Sequence, residues 1–193
     1  GRTVECGTLN VDEARDGSGG RRIDIAVAIV RASAPFHDAS GQALPPVVVF
    51  HGGPGGAEVA GVGPTLQRLS ARPGANVLMA VDQDWIFFDQ RGGGQDDPSM
   101  DCPGVQLTDA GPPSDEDADK LKACLRAFAD QGVDFRWYNV AAVAEDVRDL
   151  ARVLNLPKID LYGGSYGPRV EAAVITHAPE IVRAAVMDSP WPP

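Results

Sequence analysis

No run in this sequence approaches the ~18 consecutive apolar residues of a membrane-spanning helix. Neither the heptad pattern of a coiled coil nor the glycine period of collagen occurs. Basic residues are few and unclustered: 17 Lys and Arg stand against 27 Asp and Glu, a net charge of −10, and lysine occurs only at 120, 122 and 158. Phosphate backbones and anionic membrane surfaces are bound by clustered positive charge, so this balance argues against nucleic acid and against membrane. C-x-x-C and H-E-x-x-H are absent, which leaves no zinc motif. G-x-G-x-x-G is absent too, and no Lys-Ser/Thr pair follows a glycine-rich loop, which removes the dinucleotide fingerprint and the P-loop. The acidic run Asp115-Glu116-Asp117-Ala118-Asp119 alternates like a calcium loop. It has Lys120 at the turn-glycine position and Arg126 where a bidentate Glu belongs, so it reads as a solvated helix start. No metal and no cofactor are expected. Only three cysteines occur, Cys6, Cys102 and Cys124, and an odd count leaves one without an intrachain partner. The chain opens on Gly1 with no signal-peptide pattern, as expected of a mature, processed or engineered amino end.

What is present is an ordinary globular balance, 44% apolar and 23% charged over 193 residues. A chain of this length buries roughly 70% of its extended surface, enough for one sizeable core. Glycine and proline are plentiful, 22 and 16, which predicts many tight turns. Thr3 to Val11 and Arg22 to Ala32 read as strands joined across the turn cluster Asp16-Gly17-Ser18-Gly19-Gly20, hence a hairpin. Val47 to Phe50 and Trp85 to Phe88 are short continuous apolar runs, as in strands buried on both faces of a parallel sheet. A helix is expected near Pro64 to Arg72, and Gln95 to Pro113 reads as loop. Asp115 to Asp130 reads as a helix with Leu121, Leu125 and Phe128 on one face and acidic residues at its start. Asn139 caps a second long helix that Pro157 stops, with Val143, Val147, Leu150 and Leu154 as its apolar stripe. Ile159 to Tyr162 is a strand, Pro168 to His177 a helix, and Ile181 to Met187 a last strand. Strands alternating with helices define an α/β fold with a mostly parallel sheet and an antiparallel amino-terminal hairpin.

Three loops carry candidate chemistry. Gly163-Gly164-Ser165-Tyr166-Gly167 fits G-x-S-x-G and lies between a strand and a helix, where Ser165 would project above the carboxyl edge of the sheet as a nucleophile. The competing reading is a glycine-rich turn that happens to hold a serine. His51-Gly52-Gly53-Pro54-Gly55-Gly56 follows a buried strand and resembles the loop that donates a backbone N–H to an oxyanion hole. The expected donors are the N–H groups of Gly53 and Tyr166, with His51 and Gly52 supporting the loop. Asp89-Gln90-Arg91-Gly92 ends another buried strand. Arg91 could bind a substrate carboxylate, but Asp89 and Arg91 read better as a turn-locking ion pair under the site.

Taken together, HGGPGG, DQRGGG, YNVAAVAEDVRDLARVLN and KIDLYGGSYG resemble the proline iminopeptidase and tripeptidyl aminopeptidase family of α/β-hydrolases. VECGTLNV at the start and VMDSPWPP at the end are similar to secreted members. The resemblance implies Ser165 as nucleophile and Gly53 with Tyr166 as oxyanion donors. It also implies a Cys102–Cys124 disulfide, an extracytoplasmic location, and a peptide substrate cleaved from its amino end. In that family the catalytic Asp and His follow a helical cap, later in the chain. Here the only later candidates are His177 and Asp188. His177 lies ~18 Å of helical rise beyond the bend and is expected to be an ordinary helix-end residue. Asp188 ends the last strand, where some α/β-hydrolases hold their acid, and the resemblance makes it structural. His51 and His37 are in loops with no usual base position. Residues 1–193 are therefore expected to be the amino-terminal part of a hydrolase core. Cap and later strands would lie elsewhere, and the last strand would be an apolar edge seeking a partner. Cys6 is then free for that remainder. The alternatives are a carboxylesterase on small esters and a non-catalytic hydrolase-like scaffold.

Overall fold

A computed structural model describes residues 2–71, 82–105 and 114–190. The strands are β1 (Val4–Asp12), β2 (Arg22–Val30), β3 (Val47–Phe50), β4 (Trp85–Phe88), β5 (Ile159–Gly164) and β6 (Val182–Asp188). The helices are α1 (Glu58–Ala71), α2 (Asp115–Asp130), α3 (Val140–Val153) and α4 (Gly167–His177). The six strands form one sheet in the order β1-β2-β4-β3-β5-β6. β1 and β2 form the expected antiparallel hairpin, and β2 is antiparallel to β4. From β4 through β3 and β5 to β6 the pairing is parallel.

Hydrophobic burial builds the two layers that cover this sheet. On one face Ile25, Val48, Phe50, Ile86, Phe88 and Leu161 meet the stripe of α3 (Val143, Val147, Leu150) and Val170 and Val174 of α4. On the other face Val30, Val47, Val49 and Trp85 pack around Val62 of α1. Asn139 caps α3 as expected, its side chain accepting from Ala142 N–H at 3.0 Å.

Two helices depart from expectation. α1 begins at Glu58, six residues before Pro64, which stands inside it. The cause is a cap from far away in sequence: Asp89 Oδ1 accepts from the N–H groups of Glu58 (2.7 Å) and Val59 (3.0 Å). Arg72, the expected end of this helix, lies outside the described residues, as does 106–113 of the predicted loop. α2 has the expected bounds, with Ser114 as its N-cap, yet none of its residues is buried, and Leu125 is exposed. Its apolar stripe therefore does not join the core. It is tied down instead by the Cys102–Cys124 disulfide and by Arg21, whose guanidinium donates to Gln131 O at 2.9 Å. Cys6 is an exposed free thiol on β1. β6 is an edge strand, and Val186 and Met187 on it are exposed. No helix among the described residues is long and apolar enough to cross a membrane.

Candidate active site

Strand register brings two of the three loops together. Phe50 of β3 pairs with Gly163 of β5, so the two strands end level and their following loops emerge side by side. Contact there depends on missing side chains. A Cβ on Gly167 would lie 2.5 Å from Phe50 O, and one on Gly163 would lie 2.8 Å from the Gly167 carbonyl carbon. Either would push strand and helix apart. A Cβ on Gly52 would lie 3.3 Å from Ser165 Cβ and 3.8 Å from its Oγ, so the glycine loop runs directly alongside the serine.

Ser165 occupies the bend between β5 and α4 with φ +57°, in the left-handed region that a serine seldom adopts. Strain of that kind persists where surroundings fix it. Here β6 supplies the anchor: Gly164 pairs with Asp188, and Ser165 N–H donates to Asp188 O at 2.9 Å. Ser165 is exposed at the carboxyl end of the parallel strands. Tyr166 is the N-cap residue of α4, at the helix's positive end. Gly53 has φ +115°, which only glycine adopts readily, and a Cβ there would lie 3.2 Å from Gly55 N.

His51 braces the loop. Its Nδ1–H donates to Gly52 O at 2.5 Å, and its own carbonyl accepts from Gln90 Nε2 at 3.2 Å. The ring lies so close over Gly56 that a Cβ there would overlap it. His37 sits in a bridge opposite Ala43, and His177 is exposed at the far end of α4. The Asp188 carboxylate accepts from Tyr162 OH (3.2 Å) and Ser189 Oγ (2.9 Å).

The expected Asp89–Arg91 pair is corrected. Asp89 is fully buried. Besides capping α1 it accepts from Gln95 N–H at 2.8 Å through Oδ2. Arg91 reaches across to α3 and pairs with Asp146, Nε to Oδ2 at 2.7 Å and Nη2 to Oδ1 at 2.9 Å, both side chains 1% exposed. It also donates to the carbonyls of Glu13 and Trp137, each at 2.8 Å. Arg15 makes a further ion pair with Asp146. Burial, together with the neighbouring Arg15 charge, pulls the Arg91 guanidinium down to about 10, so it remains a cation at neutral pH. Arg91 therefore locks the turn to α3, and its guanidinium is not available to a substrate carboxylate. Sequence reasoning missed Asp146 as the partner. The signal was present: Asp146 lies beside Val143 and Val147 on the buried face of α3, where an unpaired carboxylate would be costly.

Beside the glycine loop is a cavity of about 270 Å³, lined by Pro54, Gly55, Gly92, Met100, Tyr138 and Tyr166 among others. Among the described residues no group of three or more His, Cys, Asp or Glu could hold a metal ion.

A mostly parallel sheet with an antiparallel amino-terminal hairpin, helices on both faces and a glycine-flanked strand-to-helix bend has the form of the α/β-hydrolase fold. Residues 45–193 match the alpha/beta hydrolase fold family, and the chain belongs to it. Among solved structures it is similar to a proline iminopeptidase-related protein from Thermus thermophilus. Identity there is 20% and the TM-score 0.52, over 97% of this chain and 45% of that one. It is similar also to an epoxide hydrolase from Vigna radiata, at 17% identity and TM-score 0.52, over 98% of this chain and 41% of that one. At such identities the likeness shows the fold, and the chain spans less than half the length of either protein. No curated protein matches the sequence significantly.

Proposed function

We propose that this chain is the amino-terminal part of a serine hydrolase that works through an acyl-enzyme, with Ser165 as nucleophile. The observation that carries the reading is Ser165 itself: an exposed hydroxyl on a bend at φ +57°, alongside the glycine loop. Ser165 Oγ attacks a carbonyl carbon, and a base takes its proton. The N–H groups of Gly53 and Tyr166 hold the resulting oxyanion. Collapse expels the leaving group, which takes up that proton, and water then releases the acyl group. We assign the base and its orienting acid to the carboxyl-terminal remainder of the enzyme: His51 is bonded to its own loop, His177 lies at the far end of α4, His37 lies in an early loop, and the Asp188 carboxylate is bonded to Tyr162 and Ser189. That remainder, in the same polypeptide or as a second chain, is the partner the exposed β6 edge accepts.

The resemblance to proline iminopeptidases makes the substrate a peptide cleaved at its amino end, and the Cys102–Cys124 disulfide favours a secreted setting. The test compares a peptide amide with a free amino end, the same peptide acetylated, and a small ester, all offered to the polypeptide extended by its downstream half. The proposal expects turnover of the free peptide and loss on acetylation. Turnover of the ester alone identifies a carboxylesterase, and turnover of neither identifies a binding scaffold. The 193-residue chain by itself is expected to be inactive, and catalytic turnover by it would contradict the need for a remainder.

Gly53 provides a sharper check on the oxyanion donors. Gly53→Ala puts a Cβ on a backbone at φ +115° and against Gly55 N, which turns the donor away. Loss of one such donor costs about 2.7–4 kcal/mol of barrier lowering, so kcat should fall by about 10²- to 10³-fold with KM little changed.

A further inference from the structure

Helix α4 carries one buried ionisable side chain that the proposed chemistry does not use. Glu171 has 0% exposure, and neither of its carboxyl oxygens has a hydrogen-bond partner. It lies directly beneath the bend. A Cβ on Gly163 would come within 3.1 Å of both Cδ and Oε2 of Glu171. The carboxyl therefore fills the space that the missing Gly163 side chain leaves between the end of β5 and the first turns of α4.

The surroundings offer it no counter-charge. On β5 and β6, Asp160 is paired with Arg183, and Tyr162 donates to Asp188 while burial, Asp188 and Glu171 together raise its own titration. On α3, Asp146 is held by Arg91 and Arg15, and Arg152 is paired with Asp149. Arg148 of α3 is paired with Glu145 and Glu180. β3 contributes only Val and Phe. On α4 itself Arg169 lies over the Tyr166 ring, and His177 is at the far end. A carboxyl buried without a partner keeps its proton, because the charged form would lose its hydration and gain nothing in return.

We propose that Glu171 is a positioning residue for Ser165: as a neutral acid it packs beneath Gly163 and lets β5 and α4 meet, and on losing its proton to solvent it forces them apart and releases the bend. The inference rests on the Ser165 reading for its chemical consequence. Burial pushes Glu171 up from its ordinary 4.5 to about 8, which sets the window in which the release occurs.

The test uses hydrogen exchange of peptides spanning 163–171, followed by mass spectrometry from about pH 6 to about pH 9.5 in the wild-type chain and in Glu171→Gln. Taking the ratio of the two proteins at each pH removes the intrinsic base catalysis of exchange. The wild-type to variant ratio should rise steeply between about pH 6 and about pH 8, by up to tenfold per pH unit, and level off above about pH 8. A ratio constant throughout overturns the proposal. Urea unfolding gives an independent readout. The folded state retains a proton that the unfolded state releases above about pH 4.5, so wild-type stability falls as pH rises from there to about 8 and then levels off. The unfolding constant of wild type relative to Glu171→Gln should therefore rise about tenfold per pH unit inside that window. Absence of this slope also overturns the proposal, and so does the slope accompanied by a constant exchange ratio. Should the Gln variant not fold, Glu171→Leu provides the same comparison. If exchange behaves as expected but Ser165 of the polypeptide extended by its downstream half does not react with a fluorophosphonate, the nucleophile reading fails and the positioning role stands.

Discussion

Replacing Ser165 by alanine in the extended polypeptide is expected to lower kcat by about 10⁴- to 10⁶-fold while leaving substrate affinity and folding nearly unchanged. The size follows from what the hydroxyl does. Without it no acyl-enzyme forms, and the oxyanion donors and binding groups alone retain only a residual acceleration. Folding should survive because the side chain is exposed and the anchor of the bend, Ser165 N–H to Asp188 O, belongs to the backbone. Alanine keeps that N–H. It should also tolerate φ +57° no better than serine, so any change in stability will be small and unfavourable. Steady-state kinetics beside a urea titration separate the two effects. A variant that folds normally and retains more than a hundredth of wild-type turnover would show that another group carries the chemistry.

The second large effect concerns stability. Asp146→Ala leaves Arg91, 1% exposed, without its bidentate carboxylate, and removes one of the carboxylates paired with Arg15 as well. Removing one member of a buried pair costs about 3–5 kcal/mol, chiefly because the other charge stays buried and uncompensated. That is a large share of the roughly 5–15 kcal/mol typical of a whole domain. The urea midpoint should fall steeply or the protein should fail to accumulate. Asp149→Ala is the control. Its ion pairs to Arg15 and Arg152 are more exposed, so its loss is expected to be about 1 kcal/mol or less. Equal losses from the two variants would contradict the assignment of Arg91–Asp146 as the lock between the β4 turn and α3.

These pairs also mark where sequence reasoning stopped. β3 and β4 were legible to the residue, since short apolar runs bounded by proline, glycine and acidic residues leave little choice of limits. The hairpin, the α3 cap and the bend at Ser165 were legible because each is encoded within a few neighbouring residues. What failed was long-range. The start of α1 depends on Asp89, 31 positions away, so proline looked like the natural beginning. The stripe on α2 has helical spacing, but spacing alone does not say whether another element lies opposite it. Asp89 and Arg91 were read as partners because they are neighbours in sequence, whereas each found its partner on a different helix. Nothing in the sequence sets Glu171 apart within α4, and only the packing of α4 against Gly163 shows that its carboxyl is enclosed.

The central claim is that the Ser165 hydroxyl is the reacting group, and it is tested most directly by locating a covalent adduct. The extended polypeptide is treated with a fluorophosphonate, digested with trypsin and examined by mass spectrometry. Peptide 159–169 contains a single serine. The account predicts one phosphonyl group per molecule, on Ser165, and none in Ser165→Ala. An adduct on any other residue, or an unmodified Ser165 in a polypeptide that turns over substrate, would contradict it.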